Sequence, residues 1–262
     1  MVDVGGVLPC SVDQFGGVTV ETASLPDDAG VFARALAQSL HAWRANGHRL
    51  AWLLVPIERA ALVPIATSQD FFFHHADEDE LTLVCRLAED AFVPTHATHY
   101  IGVGGVCLNE REELLVVCEK HRRTSRPYYK LPGGALQPGE HLVEAVLREV
   151  LEETGVRARF DSLVCFRHWH GYRFGKSDIY FVCRLSPLSH DVTMQAEEIE
   201  ECFWMPVADY FASDLVSPFN KRIVRAALSS HGVVPEWIDG YADPARYEFF
   251  MPHDVQGQED ER

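Results

Sequence analysis

GALQPGEHLVEAVLREVLEETGV, residues 134–156, is the stretch on which the reading of the fold turns. From Leu142 to Thr154 it contains neither Pro nor Gly, and Val143, Val146, Leu147 and Val150 recur at helical spacing. That pattern predicts an amphipathic helix over 142–154, stopped by Gly155. On such a helix Glu149, Glu152 and Glu153 stand at i, i+3 and i+4, so three carboxylates share one face.

Three like charges on one face repel, and a solvated acidic face on a surface helix is the plain structural alternative. As a cluster of hard oxygen ligands, however, the same residues suit Mg²⁺ or Mn²⁺, which also keep positions for water and substrate phosphates. Metal assigns Glu149, Glu152 and Glu153 as ligands, with Glu152 and Glu153 also candidates for the catalytic base. Arg148 is placed to hold Glu140 and the carboxylate face by ion pairing rather than to touch substrate. The preceding Leu131-Pro132-Gly133-Gly134 predicts a tight turn where backbone approaches a ligand.

The full spacing is glycine, five residues, Glu140, seven residues, then Arg148-Glu149-Val150-Leu151-Glu152-Glu153-Thr154-Gly155-Val156. It resembles, at every defined position, the Nudix box of hydrolases that cut nucleoside diphosphates linked to another group. The resemblance implies an α/β fold, a Nudix α/β/α sandwich with a mixed sheet. It further implies that the carbonyl of Gly133 joins the metal shell. A further ligand or general base is implied from the acidic loop QAEEIEE, residues 195–201, with Glu198 the first choice and Glu197 and Glu201 close to it.

FGGVTVE, WLLVPIERAALVPIATSQDFFFHHA, HYIGVGGVCLNE and GKSDIYFVCRLSPLS, spread over roughly residues 15–206, are similar to one Nudix subgroup. It includes the animal protein encoded antisense to basic fibroblast growth factor and plant cytosolic hydrolases of ADP-ribose and NADH. Members carry a small N-terminal α/β domain before the Nudix domain, associated with homodimer contacts. Tyr129 stands where many relatives have tryptophan. The resemblance implies a pyrophosphohydrolase acting on ADP-ribose- or NADH-like substrates. The alternatives are a nucleotide-binding sensor without turnover and a diadenosine polyphosphate hydrolase, towards which Tyr172 is the only pointer.

Composition bounds the rest. The 262 residues are 47% hydrophobic and 24% charged, ordinary for a globular chain with a full core. A net charge of −16 without a basic run argues against a nucleic-acid duplex or an anionic membrane as the main partner, but not against a nucleotide-derived small molecule. The seven cysteines are odd in number and never in a C-x-x-C pair, which fits reduced thiols and a cytoplasmic setting. No apolar run reaches membrane-span length, and the N-terminus has no basic, signal-like region.

In chain order, residues 1–95 read as the N-terminal α/β domain, 96–235 as the Nudix domain and 236–262 as a C-terminal extension whose end, from Gln256, is expected to be disordered. Residues 1–15 read as a loose lead-in. A helix capped at Asp27 or Asp28 is predicted to run to Ala45, with strands at 49–56, 71–75 and 80–87. Phe71, Phe72 and Phe73 are expected in the core. His74 and His75, as strand neighbours, are expected to point to opposite faces, which argues against a shared metal. His168 and His170 share a strand face, with a core or surface role favoured over catalysis. HRRTSRPYYK, residues 121–130, is a basic and aromatic patch in an acidic chain. It is either a solvated loop or a contact to phosphates and an aromatic base. Its position before Leu131 favours contact, which assigns Arg122, Arg126, Tyr129 and Lys130 to substrate binding.

Overall fold

Short apolar runs separated by turn residues build the first sheet. The computed structural model describes residues 6–122 and 125–252, which divide into two units, Met1–Thr98 and His99–Arg262. The first unit contains β1 (Cys10–Val12), β2 (Gly17–Val20), α1 (Ala29–Ala45), β3 (Leu50–Pro56), α2 (Val63–Thr67), β4 (Phe72–Ala76) and β5 (Glu80–Arg86). Its sheet has the order β1-β2-β3-β5-β4, with β2 and β3 parallel and the remaining pairs antiparallel. Asp28 caps α1 by accepting from Val31 N at 2.8 Å, and the stripe Phe32, Leu36, Leu40 and Trp43 is buried against Val18, Leu53, Val55 and Leu83.

Three expectations for this unit are corrected. Cys10–Val12 is a strand rather than loose lead-in, because Asp13 Oδ1 accepts from the N–H groups of Phe15 and Gly17 and turns the chain back into a hairpin. Of the three phenylalanines only Phe71 is core; Phe72 and Phe73 are 37% and 63% exposed on an edge strand. His74 and His75 do not diverge. A bulge between Phe73 and His75 interrupts the alternation, so their Nδ1 atoms lie 2.7 Å apart, and His96 stacks on His75.

The second unit contains β6 (His99–Cys107), β7 (Glu113–Glu119), β8 (Tyr129–Lys130), β9 (Gly133–Ala135), α3 (Leu142–Thr154), β10 (Ala158–Trp169), β11 (Ser177–Pro187), β12 (Ile199–Pro206), α4 (Val207–Ala212), α5 (Pro218–Ser229), β13 (Val234–Glu236) and β14 (Phe249–Met251). One sheet is mixed, β10-β11-β6-β9, with β11 and β6 parallel; a second is β12-β7-β8. Alternation along the strands makes two cores. Val103, Cys107, Leu115, Cys183 and Leu185 pack on Val146 and Val150 of α3, whereas Val106, Leu114, Val116 and Val182 pack with Tyr210 of α4 and Ile223, Val224 and Ala227 of α5. The sheets therefore lie between α3 on one side and α4 and α5 on the other.

β13 and β14 pair antiparallel after α5, and Phe250 joins the core on the α3 side. The polar end from Gln256, expected to be disordered, lies outside the described residues. No helix among the described residues is long and apolar enough to cross a membrane.

Candidate active site

Close packing of backbone against α3 decides where the carboxylates sit. Gly133 has φ +149°, and a Cβ there would lie 2.2 Å from the carbonyl oxygen of Val103. A Cβ on Gly134 would meet the Glu149 carboxylate at 2.5 Å. Only glycine at 133 lets β9 run this close to β6, whereas a side chain at 134 would displace the Glu149 carboxylate. With the strand in place, Gly133 N–H donates to Glu153 Oε2 at 2.8 Å. α3 spans the predicted 142–154, and Gly155 ends it with its N–H bonded to Leu151 O.

Arg148 organises the acidic face. Its Nε and Nη2 donate to the two oxygens of Glu140 at 2.6 and 2.9 Å, and its Nη1 donates to Glu149 Oε1 at 2.9 Å and Glu152 Oε2 at 3.0 Å. Nη2 also reaches the carbonyl of Ala135 at 3.2 Å. One planar guanidinium thus ties the loop glutamate, two helix glutamates and the β9 backbone together, which a point-charge ammonium could not do. The hydrogen bond to Glu140 leads the causes that push the Arg148 pKa up and, from the other side, hold the Glu140 carboxyl below its ordinary value.

Glu153 is different. Its side chain is 7% exposed, and burial pushes its carboxyl up to about 7, against the lowering influence of Lys130 and the Gly133 N–H. Lys130 Nζ lies 3.8 Å from Glu153 Oε1 and 2.6 Å from Glu119 Oε1. Burial alone would lower the lysine pKa, but the Glu153 and Glu119 charges outweigh it and the value rises. A small cavity of about 160 Å³ opens here, lined by Glu119, His121, Glu153 and Glu198.

The structure brings Glu140, Arg148, Glu149, Glu152, Glu153, Gly133, Lys130 and Glu198 together along α3. The other residues expected to bind substrate are already engaged. Arg122 pairs with Glu200 and the Glu119 carbonyl, and Arg126 pairs with Asp214. Tyr129 donates its hydroxyl to Glu201 at 2.7 Å, which leads the causes lifting the phenol to about 12. Arg123 and Thr124 of the same patch lie outside the described residues. His168 meets His99, Nε2 to Nε2 at 2.9 Å, and His170 Nδ1 meets Ser177 Oγ at 2.8 Å.

Glu119 and His121 were not picked out from sequence. Glu119 follows five buried residues of β7, and only its pairing through β8 with Lys130 reveals its place. Among the described residues no three His, Cys, Asp or Glu side chains stand already gathered as a metal site, since the carboxylates are turned onto Arg148, Lys130 and the Gly133 N–H. The donors are nonetheless all carboxylate oxygens on one helix face, a set whose chemistry fits a hard divalent cation.

Comparison with known proteins gives two profile matches: "Nudix hydrolase domain" over residues 8–87 and "NUDIX domain" over residues 98–227. Nudix hydrolase 8 of Arabidopsis thaliana is 39% identical over 81% of this chain, which spans 59% of that relative's length. Nudix hydrolase 2 of the same plant is 38% identical over 83% of this chain and 79% of its own length. The human nucleoside diphosphate-linked moiety X motif 6 is 34% identical over 83% of this chain and 71% of its own.

Proposed function

The chain belongs to the Nudix hydrolase family, and we propose on that premise that it is a metal-dependent pyrophosphohydrolase. Its substrates are nucleoside diphosphate derivatives, with ADP-ribose and NADH the leading candidates, cut to a nucleoside monophosphate and a second phosphorylated product. The observation that carries this reading is the set Glu149, Glu152 and Glu153 on one face of α3, anchored by Arg148 and the Gly133 N–H beside an open cavity.

Glu149, Glu152 and Glu153, with the Gly133 carbonyl, would hold Mg²⁺ or Mn²⁺. When bound, the cation supplies positive charge against the pyrophosphate oxygens and makes water more acidic. Arg148 keeps Glu149 and Glu152 in place without touching substrate. Lys130 supplies a fixed positive charge between Glu119 and Glu153, which offsets the crowding of carboxylates and faces an anionic substrate. Glu198, on the wall of the same cavity as Glu153, is assigned as the base that takes the proton from the attacking water.

The test is hydrolysis of a panel of ADP-ribose, NADH, NAD, FAD, coenzyme A and diadenosine polyphosphates with Mg²⁺ or Mn²⁺, for wild type and Glu153→Gln. Turnover that needs metal and falls by about 10²-fold or more in the variant is expected. Tight binding of one compound without turnover in either protein would replace the enzyme by a nucleotide sensor.

A further inference from the structure

The local cap of α3 is a box between His141 and Glu144, in which Glu144 Oε2 accepts from the His141 N–H at 3.3 Å; the N–H groups of Leu142 and Val143 take no part in it. The residue before Leu142 is His141, and the sequence PGEH offers no Ser, Thr, Asp or Asn at that position. The first N–H groups of a helix need acceptors from outside it. Those of Leu142 and Val143 find them more than a hundred residues away. Glu248 Oε2 accepts from Leu142 N at 2.6 Å and Glu248 Oε1 accepts from Val143 N at 3.1 Å. A carboxylate at this end also meets the positive pole of the helix.

Two further contacts hold the same segment there. His141 Nε2 lies 3.1 Å from the carbonyl oxygen of Pro244, within hydrogen-bond reach, and Phe250 packs beside Phe160 in the core that includes Leu142 and Val146. The strap between β13 and β14 is thus fastened to the helix that carries Glu149, Glu152 and Glu153. It lies beyond residue 227, where the domain profile ends.

We propose that Glu248 is a positioning residue for the active site. It sets the axial register of α3 from the N-terminal end, while the Gly133 N–H holds Glu153 at the other end. Glu140 sits only two residues before Leu142, and its two-pronged pairing with Arg148 spans the first two turns of the helix. Fraying of the first turn would shift Glu140 and release Arg148, which holds Glu149 and Glu152 through Nη1. The strap therefore acts on the metal-binding face through Arg148, two turns away, without touching substrate. This inference rests on the proposed hydrolase reading.

The test uses the full chain as wild type, Glu248→Ala, Glu248→Gln and Glu236→Gln. Glu236 belongs to the same hairpin and serves as the control. Three quantities are measured: amide exchange at Leu142 and Val143, Mn²⁺ affinity without substrate, and kcat and KM on the best substrate of the panel. Glu248→Ala is expected to speed exchange at both amides at least tenfold, and to weaken Mn²⁺ binding and lower kcat by about tenfold, the low end for a residue supporting a metal ligand, with KM little changed. Glu248→Gln keeps an acceptor oxygen and should recover most of each effect; Glu236→Gln should match wild type. Faster exchange with Mn²⁺ affinity and kcat unchanged would make Glu248 a stabilising cap only and overturn the proposal, as would unchanged exchange. A wild type that binds Mn²⁺ but hydrolyses nothing removes the proposed activity alone, and the strap is then judged by exchange and Mn²⁺ affinity. A wild type that binds no Mn²⁺ overturns both.

Discussion

Gly133 N–H donates to Glu153 Oε2 at 2.8 Å, joining the β9 backbone to the most buried of the three helix carboxylates. The contact exists because nothing but hydrogen fits on Gly133, where a methyl group would overlap the Val103 carbonyl. Gly133→Ala is therefore expected to destabilise the second unit by about 3 kcal/mol or more, from the disfavoured backbone angle and the clash together. Thermal unfolding should show a fall of roughly 6–12 °C in the transition of that unit. An unchanged transition would mean that β9 does not lie this close to β6.

Arg148 offers five acceptor oxygens on four residues one planar group, so Arg148→Lys should be far from conservative. A lysine can hold one or two of those oxygens, leaving the others to repel. Activity should fall by about 10- to 100-fold, with a normal far-ultraviolet circular dichroism spectrum. Full activity in the lysine variant would show that charge alone, without the fork, organises the acidic face.

The basic patch divides into a cation at the cavity and cations away from it. Lys130 stands between Glu119 and Glu153, whereas Arg126 pairs with Asp214 at an exposed position. Lys130→Ala should lower kcat/KM at least tenfold, and Arg126→Ala should change it by no more than about threefold, as for an exposed ion pair. The reverse ranking in steady-state kinetics would move the substrate phosphates away from Lys130.

Cys202 offers a pH test of the same neighbourhood. Burial first, and then the Glu153 charge, push its thiol up to about 12 from an ordinary 9.0. Because the thiolate is the reactive form, a raised value means less of it at any pH below the shifted one. At pH 8 this leaves roughly a thousandth of the thiolate of an ordinary cysteine. Alkylation of Cys202, followed by peptide mass spectrometry, should be correspondingly slow and should rise tenfold per pH unit from 7 to 9.5. A plateau near pH 9 would contradict this environment.

Much of the site was legible because it is local. The helix at 142–154, the shared face of Glu149, Glu152 and Glu153, and the bracing of Glu140 by Arg148 follow from helical periodicity and from charge placed within one short segment. The glycine pair was readable as a close approach, though not what it approaches. His74 and His75 show the limit of periodic reasoning, since a single bulge turned an alternation argument around. The basic patch was read as a unit, yet its members separate once β8 pairs with β7 and the loops supply Glu200, Glu201 and Asp214 as partners.

What the chain alone determined is the helix at 142–154, its acidic face, its stop at Gly155 and the family they mark, because each depends on spacings of a few residues along a regular backbone. Tertiary structure decided the rest: which cation reaches Glu153, that Glu119 and Glu198 share its cavity, and that Glu248 caps the helix across 106 positions. Those contacts join elements distant in sequence, and their formation depends on strand pairing and packing that local periodicity does not contain.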